Sequence, residues 1–256
     1  MTARALIVLK FGGSVLIDTG GILTAVNEIA RFLNGHDRVL AVVSAFRGET
    51  DSLERTALAL CADPAPETLA YYLGLGELRV AGELALGLQG AGITAAVRLP
   101  WDVSLVSSGS PLDAAPVSVS RQAFADAFAT HRVVVFPGFI GRGEDGEPHV
   151  LGRGGSDLTA VYLASELGAS RCVILKDTPG VFEQDPARAG WSARRYRTLS
   201  WDDAARLGGR VMPASTVAFA RARKMTFEVT AIGEPRTTVV GAEASQFDPP
   251  AEGHNE

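Results

Sequence analysis

Apolar positions along the chain follow two rhythms. Short, nearly continuous apolar runs occupy residues 5–9, 38–43, 94–99, 103–106, 132–136, 171–175, 225–231 and 237–240. That is the length and character of buried strands. Between them lie stretches with helical spacing at 22–33, 67–89, 121–130, 158–168, 200–207 and 213–224. Asn34-Gly35 ends the first helical stretch, and Asp63-Pro-Ala-Pro66 breaks the chain before the second. Residues 139–149 read as a polar hairpin with Asp145-Gly146 at its tip, and Ser107–Pro111 as a loop. Residues 237–240 would form a last edge strand, and 242–256 a loose tail with little to bury. The result is an α/β chain, and 256 residues suit one large domain or two lobes sharing a sheet.

Composition narrows the partners. The chain is 46% hydrophobic and 21% charged with a formal net charge of −5, which disfavours a nucleic-acid-binding face. Cys61 and Cys172 stand far apart in apolar company, the pattern of buried free thiols in a reducing compartment. The first apolar run is too short for a secretory leader and no run approaches a membrane span. A cytoplasmic protein with no membrane partner is expected.

The chemistry gathers where core strands end. Lys10-Phe-Gly-Gly-Ser14 follows the first strand, Ser44 to Thr50 the second, and Lys176-Asp177-Thr-Pro-Gly180 the strand at 171–175. Ligands of open α/β sheets bind at that carboxyl edge. The densest signal is Val150-Leu-Gly-Arg-Gly-Gly-Ser-Asp157, a glycine-rich turn opening a helix, with Ser156 or Asp157 as candidate N-cap. A helix N-terminus suits phosphate or carboxylate, and the Arg153 fork matches a carboxylate. Asp157 in an anion-receiving loop makes sense only if it manages a cation or orients a lysine. Glu77 sits among apolar residues and glycines (Gly74, Gly76, Gly82, Gly87) that suggest close approach of a ligand or helix. It needs a cationic partner, either Arg79 or a ligand ammonium. Gly141-Arg-Gly-Glu-Asp-Gly146 matches a dinucleotide fingerprint formally but joins no strand to a helix, and no Walker A pattern occurs. Two lysines and two glycine-rich turns supply what phosphoryl transfer chiefly needs, positioning and charge neutralisation.

Lys10-Phe-Gly-Gly-Ser14, Val43-Ser-Ala45, Gly76-Glu77, Gly138-Phe-Ile-Gly141, Leu151-Gly-Arg-Gly-Gly-Ser-Asp157 and the Asp177 to Pro186 segment together resemble the aspartokinases of the amino-acid kinase superfamily, in order over residues 5–241. The resemblance implies a three-layer α/β sandwich with an open, mostly parallel eight-stranded sheet. It places an acceptor lobe at about 1–150 and a nucleotide lobe at about 151–241. It implies phosphorylation of a side-chain carboxylate of aspartate or a similar amino acid by ATP, with Mg2+ as counter-ion, giving an acyl phosphate. Lys10 would stabilise the moving phosphoryl group, Gly12 and Gly13 would line its path, and Asp157 and Lys176 would complete the catalytic centre. Arg153 would clamp the substrate carboxylate with Ser44, Thr50 and Ser156 assisting, and Glu77 would receive the α-ammonium. Asp177, Phe182, Asp185 and Arg210 fall on segments that contact nucleotide in that family. No cluster resembles a dedicated metal cage. A homodimer is implied, with room for a separate regulatory chain.

The departures are as specific. Val150 and Lys176 stand where threonine is usual, Pro179 where aspartate is, and Ala187 where arginine follows Asp-Pro. Arg210 replaces a common lysine, Pro213 a common histidine, and Phe46-Arg47 small residues beside the acceptor loop, which raises the prospect of an acceptor other than aspartate. The chain ends where regulatory ACT domains normally begin, so end-product control within this polypeptide is not expected. A kinase of another small carboxylate or phosphate acceptor, and a non-catalytic nucleotide-binding subunit, are the competing readings.

Overall fold

The computed structural model describes residues 5–34, 38–186, 193–208 and 212–249. In chain order the elements are β1 Leu6–Phe11, α1 Thr19–Leu33, β2 Arg38–Val43, α2 Glu49–Leu60, α3 Pro66–Leu73, α4 Leu75–Gly90, β3 Ala95–Val97, β4 Val106–Ser110, β5 Asp113–Ser118, α5 Arg121–Thr130, β6 Val133–Pro137, β7 Ile140–Arg142 and β8 Pro148–Val150. They continue with α6 Gly155–Leu167, β9 Arg171–Lys176, β10 Tyr196–Ser200, α7 Trp201–Arg206, α8 Ala214–Arg223, β11 Phe227–Ala231, β12 Thr238–Gly241 and β13 Gln246–Phe247. Nine strands form the main sheet in the order β13-β10-β12-β11-β9-β1-β2-β6-β3. All neighbours run parallel except β11–β12 and β10–β13. The eight-stranded expectation is thus one short: β10 and β13 were both unforeseen, and the expected 103–106 strand instead leads into β4, which begins at Val106 and lies in the second sheet.

Side chains alternate across a strand, and here that alternation sorts the core into two layers. Ile7, Leu9 and Phe11 of β1 pack with α1 and α4, whereas Val8 joins Cys172 and Ile174 of β9 under α5, α6 and α8. By the same parity Lys10 and Lys176 fall on the α6 side. Helix α6 is buried from Gly155 through Ala164, so it tolerates almost no polar side chain that lacks a partner. Asp157, in its first turn, is buried there and therefore requires partners of opposite charge.

Other expectations change in detail. The helical stretch 67–89 is two helices meeting at Gly74; a Cβ there would lie 2.7 Å from Ile140. Gly76 lets α4 pass within contact of Ala45, and Gly87 lets it meet Val26 and Ile22 of α1, so the close approaches are by protein. Ser107 to Ser110 is not a loop but strand β4, paired with β5 in a four-stranded sheet that also holds the 139–149 hairpin as β7 and β8. Helix α2 carries no buried residue, which explains why apolar periodicity missed it. Strand β12 is not an edge, because β10 and β13 lie beyond it. The first part of the supposed loose tail is docked. Phe247 stacks on Tyr196 with ring centroids 4.3 Å apart, and Asp248 pairs with the buried Arg195 at 2.6 Å. Cys172 is buried as expected, but Cys61 is exposed where α2 ends. None of the described helices is long and apolar enough to cross a membrane.

Candidate active site

Lys10 and Lys176 leave neighbouring parallel strands, and α6 lays Asp157 between them. Lys10 Nζ lies 2.6 Å from one carboxylate oxygen of Asp157, and Lys176 Nζ 2.9 Å from the other. Lys10 and Asp157 are buried, while Lys176 keeps about a fifth of its side chain open to solvent. Burial alone would raise the Asp157 carboxyl, but the two ammonium groups outweigh it and hold its pKa near 2. Burial lowers Lys10, and the Asp157 charge only partly offsets this. Two cations on one anion leave a net positive charge at the sheet edge, where α6 begins.

That helix starts without a side-chain cap. Gly154, not Ser156 or Asp157, is the N-cap, in a left-handed conformation (φ 78°) with Pro213 packed so closely that a Cβ would collide with its ring. Ser156 donates no backbone hydrogen bond among the described residues, so an open N–H stands at the positive end of the helix. Gly138 is pressed onto Ser156, where a Cβ would lie 2.7 Å away.

Beside this centre is a cleft of about 380 Å3 lined by Ser44, Thr50, Glu77, Arg153, Gly155 and Ser156, with Leu69, Leu73, Leu112, Phe139 and Val150 as its apolar wall. Glu77 is buried. One of its carboxylate oxygens accepts the Ala45 N–H at 3.0 Å and the other has no partner. Burial raises its pKa to about 7, while that hydrogen bond and the Lys10 charge pull the other way. Arg79 is not its counter-charge, since that guanidinium binds Glu83 at 2.8 Å and Glu49 at 3.1 Å. Arg153 is exposed at the rim. Asp51 and Glu54 of α2 also face the cleft, and the sequence reading missed both. Their i, i+3 spacing on a polar helix was the available signal.

The remaining expected site residues sort differently. Gly12 packs directly on Lys10, with a Cβ position 2.6 Å from its Nζ, and Gly13 lies against the Arg47 backbone. Asp177 is exposed immediately after β9. Phe182 is half-buried and bridges to Arg195, and Asp185 is exposed further along that segment. None of the three lines the cleft. Arg210 and Ala187 lie outside the described residues. Phe46 and Arg47 do not line the cleft either. Phe46 is buried in the α1–α4 core beneath Arg79, and Arg47 reaches the Gly13 and Ser14 carbonyls. Among the described residues no three His, Cys, Asp or Glu side chains converge as a metal site. Asp157 is already spanned by ammonium groups, so this donor set fits a cation that arrives on phosphates rather than one caged by protein.

A parallel sheet presenting lysines and glycine turns to one edge, with a carboxylate between the lysines, suits a ligand bearing transferable phosphate. The sequence model of the amino acid kinase family matches residues 5–230, and the chain belongs to that family. Within it the chain is similar to aspartokinases. Aspartokinase 2 of Bacillus subtilis (strain 168) is 35% identical over 247 residues, 95% of this chain and 60% of that protein. The aspartate kinase of Synechocystis superposes with a TM-score of 0.79 at 29% identity, over 94% of this chain and 40% of that one. Escherichia coli aspartokinase III, in complex with aspartate and ADP, gives 0.75 at 25% identity, over 93% and 65%. The chain spans 53% to 60% of the lengths of the curated relatives it matches. A UMP kinase from Bacillus anthracis, 20% identical with a TM-score of 0.65, shares the fold alone.

Proposed function

We propose that this chain catalyses the ATP-dependent phosphorylation of the side-chain carboxylate of aspartate, or of a closely similar amino acid, yielding an acyl phosphate. The observation that carries this reading is the Lys10–Asp157–Lys176 bridge beside a cleft holding Glu77 with one unpartnered carboxylate oxygen. Glu77 receives the acceptor's α-ammonium, which supplies the missing counter-charge, and Arg153 holds a carboxylate at the cleft's mouth. Ser44, Thr50 and Ser156 orient the acceptor so that its side-chain carboxylate faces Lys10. Lys10 neutralises charge on the equatorial oxygens of the phosphoryl group as it moves. Asp157 keeps both ammonium groups aimed at that point. The turn at Gly12 and Gly13 and the α6 N-terminus bind phosphate oxygens through backbone N–H groups. Mg2+ would be held by the nucleotide's phosphates and water, with Asp177, Phe182, Asp185 and Arg210 on the nucleotide side. In this reading residues up to about 150 form most of the acceptor part and 151–241 the nucleotide part, with Arg153 and Ser156 reaching the acceptor from the start of the second. Similarity to aspartokinases, one of them solved with aspartate and ADP, supports the choice of acceptor.

The test is ADP release together with trapping of the acyl phosphate as a hydroxamate by hydroxylamine, across a panel of amino acids. Aspartate should give hydroxamate and Lys10→Ala should abolish it. Hydroxamate from another acid but not aspartate would change the acceptor. ADP release that survives Lys10→Ala would overturn the mechanism.

A further inference from the structure

Arg47 is exposed, yet its guanidinium is used on the backbone. Nε donates to the Gly13 carbonyl and Nη2 to the Ser14 carbonyl, both at 3.2 Å. The Arg47 N–H is itself fixed to the Leu16 carbonyl at 2.9 Å. The Gly12 carbonyl is occupied from inside the turn by the N–H groups of Val15 (2.9 Å) and Leu16 (2.8 Å). In a trans peptide the C=O and the following N–H point in opposite directions, and no peptide here is cis. Anchoring the Gly12 and Gly13 carbonyls therefore turns the N–H groups of Gly13 and Ser14 the other way. Neither donates to any acceptor among the described residues. The Ser14 hydroxyl is also buried without a partner. Two open amides and one orphaned hydroxyl, next to Gly12 packed on Lys10, make an incomplete anion nest.

We propose that Arg47 is a positioning residue that holds the turn Gly12–Ser14 with its N–H groups presented to a phosphoryl oxygen, rather than a determinant of acceptor choice. The inference rests on the kinase reading given above. Arg47 touches no reacting atom in it. Its contribution is to stop the Gly-Gly pair, which is free to rotate, from turning carbonyls toward the incoming anion.

Steady-state kinetics of wild type, Arg47→Lys, Arg47→Met and Arg47→Ala with Mg·ATP and the preferred amino acid test this. Arg47→Met keeps the aliphatic stem without donors. Met and Ala should lower kcat about tenfold with the acceptor KM unchanged, Lys should recover part of it, and millimolar guanidinium should partly rescue the Ala variant. An unchanged kcat, or a raised acceptor KM at constant kcat, would overturn the proposal. Backbone amide NMR separates it from the kinase reading. Mg·ATP should shift the Gly13 and Ser14 amides in wild type and not in Arg47→Ala. If no amino acid supports turnover yet these shifts occur, the reaction assigned above fails and the anion turn stands. Turnover without the shifts in wild type sinks the turn instead.

Discussion

Glu77→Gln should make the protein more stable and less able to bind its acceptor, with both effects growing as pH rises. Glu77 is only 2% exposed, and burial raises its carboxyl from 4.5 to about 7. Between those values the folded chain keeps a proton that the unfolded chain has lost. Folding is therefore favoured less as pH climbs, and the deficit is complete above pH ~7. A shift of this size corresponds to a destabilisation of about 3 kcal/mol at alkaline pH and under about 1 kcal/mol at pH ~5. Glutamine retains a carbonyl to accept the Ala45 N–H and carries no charge to bury. The expected gain at pH ~8 is thus up to about 3 kcal/mol, or about 6–12 °C in Tm for a domain of this size. Melting both proteins from pH 5 to 8.5 by circular dichroism reads it directly. In the same variant the acceptor KM should rise and lose its pH dependence, whereas the wild-type KM should increase as pH falls below about 7, because only the ionised carboxylate pairs with an ammonium. A Tm gap that does not vary with pH, or a Gln variant less stable at pH 8, would refute the claim that the protein itself gives buried Glu77 no counter-charge.

Four other outcomes are expected. Asp157→Ala leaves Lys10 buried without its counter-charge and should cost about 3–5 kcal/mol; in a denaturant-melt double-mutant cycle, adding Lys10→Ala should cost much less than the sum of the two single changes. Since Asp157 is held near 2, its stabilisation is present above its ordinary pKa and should fade in acid titrations only as pH falls from about 4 through 2. Gly154→Ala forces a side chain into a left-handed residue and into Pro213. It should lower Tm and activity together, with partial recovery in the Gly154→Ala/Pro213→Ala pair. Asp248→Ala removes the partner of the buried Arg195, which also donates to the Pro179 carbonyl at 3.1 Å; a loss of about 1.5–3 kcal/mol is expected in urea melts.

Strand parity is the part of this protein that residue order alone settles. Lys10 lies two places after Val8, and Lys176 two after Ile174. A period of two then puts each lysine on the same face as its apolar neighbour, whatever the sheet order. The glycine-rich turn into α6 and the isolated carboxylates at Glu77 and Asp157 were legible for the same reason, because local backbone geometry and the cost of burying charge act over a few residues. Helix α2, strand β13 and the docking of Phe247 and Asp248 were not, since their few apolar contacts involve positions distant in sequence and leave no period to read. Only the tertiary structure decided that β1 and β9 are adjacent, which brings two ammonium groups to one carboxylate. It also gave Arg79 to Glu49 and Glu83, leaving Glu77 to the cleft, and kept Arg47 out of that cleft and on the Gly13 and Ser14 carbonyls. Those assignments depend on which charges meet across the fold, and the energy of a buried ion changes with each partner it finds or lacks.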